Sequence, residues 1–213
     1  MTDGVEEGHH LVIGGRRWRA SDPSIPAPLR RELVHELMAA RRAVKAGAGD
    51  PQATSAARRR VHDAKVALGE RGAPWWEPAP VEAVRARLAA TTRALLRHRP
   101  EGATICPSEV ARAAASPAWR DAMDLVRNVA AELATDGEVL VRQRGQVVDG
   151  ATARGPVRYG RGTAFPDPAQ EQAGERGSTG RSPGVVGAPR PPGGPPDGDR
   201  RRARSGEGAG SAG

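Results

Sequence analysis

Apolar positions along this chain follow two rhythms, one with the period of a strand and one with the period of a helix. Over residues 10–20, HLVIGGRRWRA carries two short strand-like runs around Gly14 and Gly15. Paired glycines accept the positive φ angles of a tight turn, so the pattern predicts a two-stranded hairpin. SDPSIPAP then marks a turn. From Leu29 to about Ala46 the period becomes helical: Leu33, Leu37 and Ala40, joined by Val34, Met38 and Val44, make an apolar stripe, and Arg30, Arg31, Glu36, Arg41 and Arg42 fall on the remaining surface. GAGDPQ breaks that helix. Asp50 or Thr54 can cap the next, which runs to about Leu68 with Ala53, Ala57, Val61, Ala64 and Leu68 on one side. GERGAP ends it, because glycine takes the left-handed C-cap geometry and Pro74 cannot continue the ladder. The short connection makes the two helices an antiparallel pair. Its facing residues are small, and at roughly 25 cal/mol per Å² of apolar area buried such a pair is marginal alone. Trp18, Trp75 and Trp76 are therefore expected to pack against it or against the second unit of the chain.

GAPWWEPAP is the junction, where three prolines fix backbone angles and exclude regular structure. From Val81 to about His98 the helical period returns, with Val84, Leu88, Thr92, Leu95 and Leu96 on one side. Ser108 can cap a short helix whose first turn includes Glu109 and whose apolar side includes Val110, Ala113 and Ala114. Ser116-Pro117 is a second start signal, and Trp119, Met123, Val126, Ala130 and Leu133 then recur at helical spacing up to Gly137. EVLVRQRGQVVD reads as two short strands around Arg144-Gly145, continued by GPVRY. Helix, short strand, helix, helix and hairpin in that order are the outline of a winged helix. The fold expected is thus mainly α with small β hairpins. A β-hairpin plus helix-pair unit (1–79) precedes a winged-helix-like domain (80–160), and a disordered tail (161–213) follows. The tail is expected to lack order because glycine and proline dominate it and no pattern in it can bury enough apolar area.

Composition changes this picture little. The chain has 213 residues, 33 basic and 25 acidic, for a net charge of +8, and the excess is spread as +3, +3 and +2 over the three regions. Arginine supplies nearly all of the positive charge, Lys45 and Lys65 being the lysines, as a general Ala/Gly/Arg/Pro bias produces. That charge permits nucleic acid without arguing for it. A lone Cys106 excludes an intrachain disulfide framework, and no continuous apolar run suggests an export signal or a spanning helix, so a cytoplasmic location is expected.

Five dispersed blocks resemble a bacterial family, domain of unknown function 3253 (DUF3253). They are ICPSEVARA, WRDAM, the L-A-x-D-G helix end, RGQVVD and ARGPVR, spread over residues 105–158. With the preceding helix the resemblance covers about 80 residues. It implies a winged-helix-like fold without an established molecular activity. The chain departs from the family pattern at the first helix of this domain, which is longer and richer in arginine. The N-terminal half resembles a region joined to this domain in actinobacterial proteins, some labelled biopolymer transporter Tol. The sequence lends that label no support, having no spanning segment, export signal or propeller repeat.

A winged helix that reads DNA puts donors on its long helix and basic contacts on its wing. Here the two elements disagree. The long helix offers Arg120, Arg127 and Asn128 beside Asp121, Asp124, Glu132 and Asp136. The wing offers Arg142, Arg144, Arg154 and Arg158 with Gln143 and Gln146, while Val139, Val141 and Val147 are expected to pack inward. Those arginines either clamp phosphates or merely cover a solvated face. The seven residues Arg120, Arg127, Asn128, Arg142, Arg144, Arg154 and Arg158 are the candidate nucleic-acid contacts. Partners expected are DNA or, alternatively, an unidentified protein, and neither membrane nor small-molecule substrate is inferred.

No enzyme, cofactor or metal centre is expected. Cys106 precedes a helix start, where a dipole can activate a thiol, but no patterned base accompanies it. His35, His62 and His98 sit on three helices and can meet only through tertiary packing, and His9 and His10 lie in a leader. Asp149 is suited to fixing the exit from the wing through local backbone amides.

Overall fold

The computed structural model describes residues 5, 6 and 8–166. The expectation for the tail falls largely outside the described residues. The first sheet is a meander, β1 (Val5–Glu6), β2 (His10–Ile13) and β3 (Arg16–Arg19), in the order β1-β2-β3. Gly14 and Gly15 close the predicted hairpin with φ of 57° and 72°, and a third strand joins the expected two. His10 therefore belongs to the sheet rather than to a leader, and His9 stacks on Trp76 at 4.3 Å between ring centroids.

The antiparallel pair is α1 (Ala27–Ala46) and α2 (Pro51–Ala67). Asp50 caps α2, its Oδ1 accepting the Ala53 N–H at 2.9 Å, while Thr54 donates its hydroxyl back to the Gly47 carbonyl. The buried stripe of α1 is Leu29, Leu33, Glu36, Leu37 and Ala40. Two expectations need correction here. Val34 and Met38 are exposed, and Glu36, assigned to the surface, is only 2% exposed. Its burial is explained by Arg60 of α2, whose Nε and Nη2 donate to both carboxylate oxygens at 2.8 and 3.0 Å. A bidentate pair of this kind satisfies both charged groups away from water.

Trp75 and Trp76 lie half-buried between the first sheet and the end of α2. Trp75 Nε1 donates to the Ala20 carbonyl, and Arg19 from β3 reaches the Gly72 carbonyl at 2.8 Å. Trp18 is 41% exposed and does not enter the core; Arg16 and Lys65 hold its ring through cation–π contacts of 5.5 and 5.4 Å.

Helix α3 (Val81–His98) is buried on more than the single face expected. Leu88, Ala90, Thr91, Thr92, Ala94, Leu95 and Leu96 are all covered, because α1 and α2 pack on one side and the later helices on the other. Its arginines are spoken for: Arg87 pairs with Asp22, Arg93 with Glu138, Arg97 with Asp63, and Arg85 with Glu132. At its end Arg161 donates to the carbonyls of Leu96, Arg97 and Arg99, supplying partners that the helix cannot provide for itself. The arginines of this helix are thus used within the fold.

Helix α4 (Pro107–Ala114) begins one residue before the expected Ser108 cap: Cys106 is the N-cap and Pro107 stands at N1, where its fixed φ fits and its missing N–H costs nothing. Glu109 Oε2 accepts the Cys106 N–H at 2.6 Å. Helix α5 (Met123–Thr135) is shorter than the sequence suggests. Residues 117–122 form turns, so Pro117 does not start the helix, although Trp119 still packs against the core. The second sheet contains β4 (Val139–Gln143), β5 (Gln146–Val147) and β6 (Arg158–Arg161) in the order β5-β4-β6, and Ile105 bridges to Tyr159. One hydrophobic core runs from Ile25 to Phe165.

Candidate nucleic-acid interface

The wing is built on alternation. Val139 and Val141 of β4 point into the core, with Tyr159 of β6 opposite Val141. The intervening position faces out, so Arg142 and its cross-strand partner Arg158 share the outer face. Val147 pairs with Arg142 on the other side and therefore also faces out, 56% exposed. This corrects the expected inward packing of Val147. The hairpin turn carries the chain back in a register that reverses the alternation, and the half-buried Val148 packs against the core instead.

Arg144 forms the tip of the wing with φ of 52°, ahead of Gly145. Beyond β5, Asp149 accepts the Ala151 N–H at 2.9 Å and the Thr152 hydroxyl at 3.0 Å, the local turn expected of it. The chain then runs against α5. A Cβ placed on Gly150 would stand 2.8 Å from Val141 Cγ2 and 3.4 Å from Ala131 Cα. Arg127 of α5 closes the same contact, donating from Nη2 to the Gly155 carbonyl at 2.7 Å. Gln143 donates to the carbonyls of Arg154 and Pro156.

The seven candidate residues are therefore distributed unevenly. Arg142 and Arg158 come together; Arg144 and Arg154 are exposed on the wing; Arg127 fastens the wing to α5; Asn128 stands exposed on α5. Arg158 is also anchored, its Nη2 donating to the Thr104 carbonyl at 3.0 Å. Arg120 precedes α5 and lies over the Trp119 ring at 4.4 Å. Arg112 of α4, which sequence reasoning passed over, covers the same ring at 4.6 Å. Its spacing from Trp119 crosses the turn between the helices, so no helical period connects the two. Among the described residues, no carboxylate lies within ion-pair distance of Arg112, Arg120, Arg127, Arg142, Arg144, Arg154 or Arg158. Of the α5-region acids, Glu132 is occupied by Arg85, whereas Asp121, Asp124 and Asp136 have no basic partner of this kind among the described residues.

Behind the wing, Arg99 holds both Glu32 of α1 and Glu109 of α4. Burial acts to raise the Glu109 pKa, but hydrogen bonds from Arg99 and the Cys106 backbone outweigh it and hold the carboxyl below its usual range. Burial pushes the Tyr159 hydroxyl far above the usual phenol range, and that hydroxyl has no hydrogen-bond partner among the described residues. Cys106 is half-buried with Sγ 3.1 Å from Ser108 Oγ. His35 and His98, which only tertiary packing could join, do meet, with Nδ1 atoms 3.2 Å apart, while His62 accepts from Arg71 instead. Among the described residues no group of three or more His, Cys, Asp or Glu side chains could hold a metal ion, and no helix is long and apolar enough to cross a membrane.

Three helices, a bridging strand residue and a basic two-sided wing define a winged-helix-like architecture. Residues 85–162, which carry it, match the family described as "Protein of unknown function (DUF3253)" and are homologous to that domain. The match leaves out the first sheet and the α1–α2 pair, and nothing supports a Tol-type likeness for that region. No curated protein matches the chain.

Proposed function

We propose that the protein binds nucleic acid through the outer face of its wing, gripping phosphates rather than reading bases. The observation that carries this reading is the cross-strand pair Arg142–Arg158. Like charges directly opposite on a ladder repel each other, and no carboxylate among the described residues lies within ion-pair distance of either one. A phosphate between two guanidinium forks would relieve that repulsion with charge-assisted hydrogen bonds. Arg144 and Arg154 extend the basic surface along the wing. Arg120 and Arg112, stacked on Trp119, offer a second cationic platform.

Helix α5 fits base reading poorly. Asp121 and Asp124 are exposed at its start, where they oppose phosphate approach, and the wing covers Ala131. In this reading Arg127 positions the wing and Asn128 is the neutral α5 donor left to touch a base edge. Fluorescence anisotropy with mixed-sequence duplex DNA tests it. Wild-type protein should bind at low salt; Arg142→Ala with Arg144→Ala should weaken binding without lowering the thermal midpoint; Asp121→Asn with Asp124→Asn should strengthen it. Absence of binding at low salt overturns the proposal.

Asp121 and Asp124, exposed and without an ion-pair partner among the described residues, favour a second reading, in which the domain docks a basic protein surface. Under that reading the Asp-to-Asn change abolishes partner binding and the wing substitutions leave it intact.

A further inference from the structure

Helix α3 borders a cleft of about 850 Å³ whose walls also come from α2, the junction, the end of α4 and the α4–α5 connection. That volume lies in the range of small-molecule sites, which are characteristically concave, apolar and supplied with a few convergent polar groups. Val66 of α2 and Val84, Ala86 and Ala90 of α3 line it, with Trp75 from the junction and Pro117 from the α4–α5 connection. Short side chains leave the hollow open where longer ones would close it. Nothing in the sequence marks it, because its walls come from segments far apart in the chain.

Six of the charged groups inside close on one another: Arg87 on Asp22 at 2.8 Å, Arg93 on Glu138 at 2.6 Å and Arg97 on Asp63 at 2.6 Å. Glu77 accepts from the neutral Trp76 Nε1 and keeps its charge, and Arg59, which also lines the cleft, donates to Ser55 Oγ. The exposed Arg71 differs. Its Nη1 donates to His62 Nδ1 at 3.1 Å, and no carboxylate among the described residues lies within ion-pair distance of it. Arg71 also borders a second hollow, of about 390 Å³, in which Arg41 and Arg58 stand over Val44 and Val61. Neither of those arginines has a carboxylate partner among the described residues. An apolar cleft thus opens beside an arginine that has no carboxylate within ion-pair distance among the described residues and that shares a second hollow with Arg41 and Arg58.

We propose that this cleft binds a small organic anion with an apolar body, the body lying on the Val66, Val84 and Ala90 floor against Trp75 and the carboxylate or sulfonate end held by Arg71. The inference does not depend on nucleic-acid binding, since Arg71, Trp75 and α2 lie outside the wing.

Two fluorescent probes of one shape test it on the full chain: anilinonaphthalene sulfonate, and phenylnaphthylamine, which has the same body without the charge. Both are expected to bind one saturable site, the sulfonate more tightly. Arg71→Ala should weaken the sulfonate about tenfold, as loss of a charge-assisted hydrogen bond does, and leave the neutral probe unchanged. Ala86→Trp, at an exposed position that core packing does not need, should abolish binding of both probes with an unaltered thermal midpoint. Ala83→Phe is the second filling variant should the first fold poorly. Absence of a saturable site, or binding indifferent to both filling variants, overturns the cleft as the site. Equal affinities for the two probes, unmoved by Arg71→Ala, overturn it as an anion site.

Discussion

Among the described residues Tyr159 is the largest fully buried side chain, and its hydroxyl finds no partner there. A buried hydroxyl without a hydrogen bond carries a desolvation penalty with nothing to offset it. Tyr159→Phe should therefore raise stability by about 1 kcal/mol, read as a higher urea midpoint with an unchanged slope. Glu109 carries the opposite kind of burial. Its carboxyl titrates below its ordinary value of 4.5 in the folded protein. Its contribution is thus complete above that value and is lost as pH falls through the depressed folded one. Denaturant midpoints measured downward from neutral pH should fall more gently below that point in Glu109→Gln than in wild type. Local chemistry of this sort was legible: the Gly14-Gly15 turn, the Asp50 cap and the Asp149 turn each depend on neighbours within a few residues. Glu36 was not, because its partner Arg60 lies on another helix and no period in α1 distinguishes a buried carboxylate from a solvated one.

Elements show the same division. Helical periods located α1 to α5, and the order of elements gave the winged-helix outline. The errors came where a rhythm was extended across a break. Counting the α5 stripe back to Trp119 carried the helix through turns that end only at Met123. Counting alternation through Arg144-Gly145 sent Val147 inward, whereas its register with Arg142 sends it out. The wing's seat on α5 depends on close approach at Gly150, where any Cβ meets Val141. Gly150→Val should lift the wing from Ala131 and lower stability by about 1–3 kcal/mol, accompanied by faster amide exchange in β4 and β5. An unchanged exchange pattern would show that the wing does not depend on that seat.

Across the molecule, arginine is the residue whose meaning the sequence could not give. The arginines of α3 and those of the wing look alike in composition, yet the former close ion pairs with Asp22, Asp63, Glu132 and Glu138 while the latter have no carboxylate within ion-pair distance among the described residues. Only tertiary packing sorts them, since each α3 partner lies on a different segment. This sorting gives the candidate interface its definition: within the winged-helix elements, what remains after internal pairing is a cationic wing and the Trp119 platform. The most direct test is the slope of log affinity against log salt for duplex DNA, compared between the wild type and the triple variant Arg142→Ala, Arg144→Ala, Arg158→Ala. Every phosphate that is no longer neutralised takes about 0.9 from the steepness of that slope. A fall of about 2 to 3 is predicted for the triple variant. An identical slope in the two proteins, or no affinity for duplex DNA at low salt, would contradict a phosphate-gripping wing.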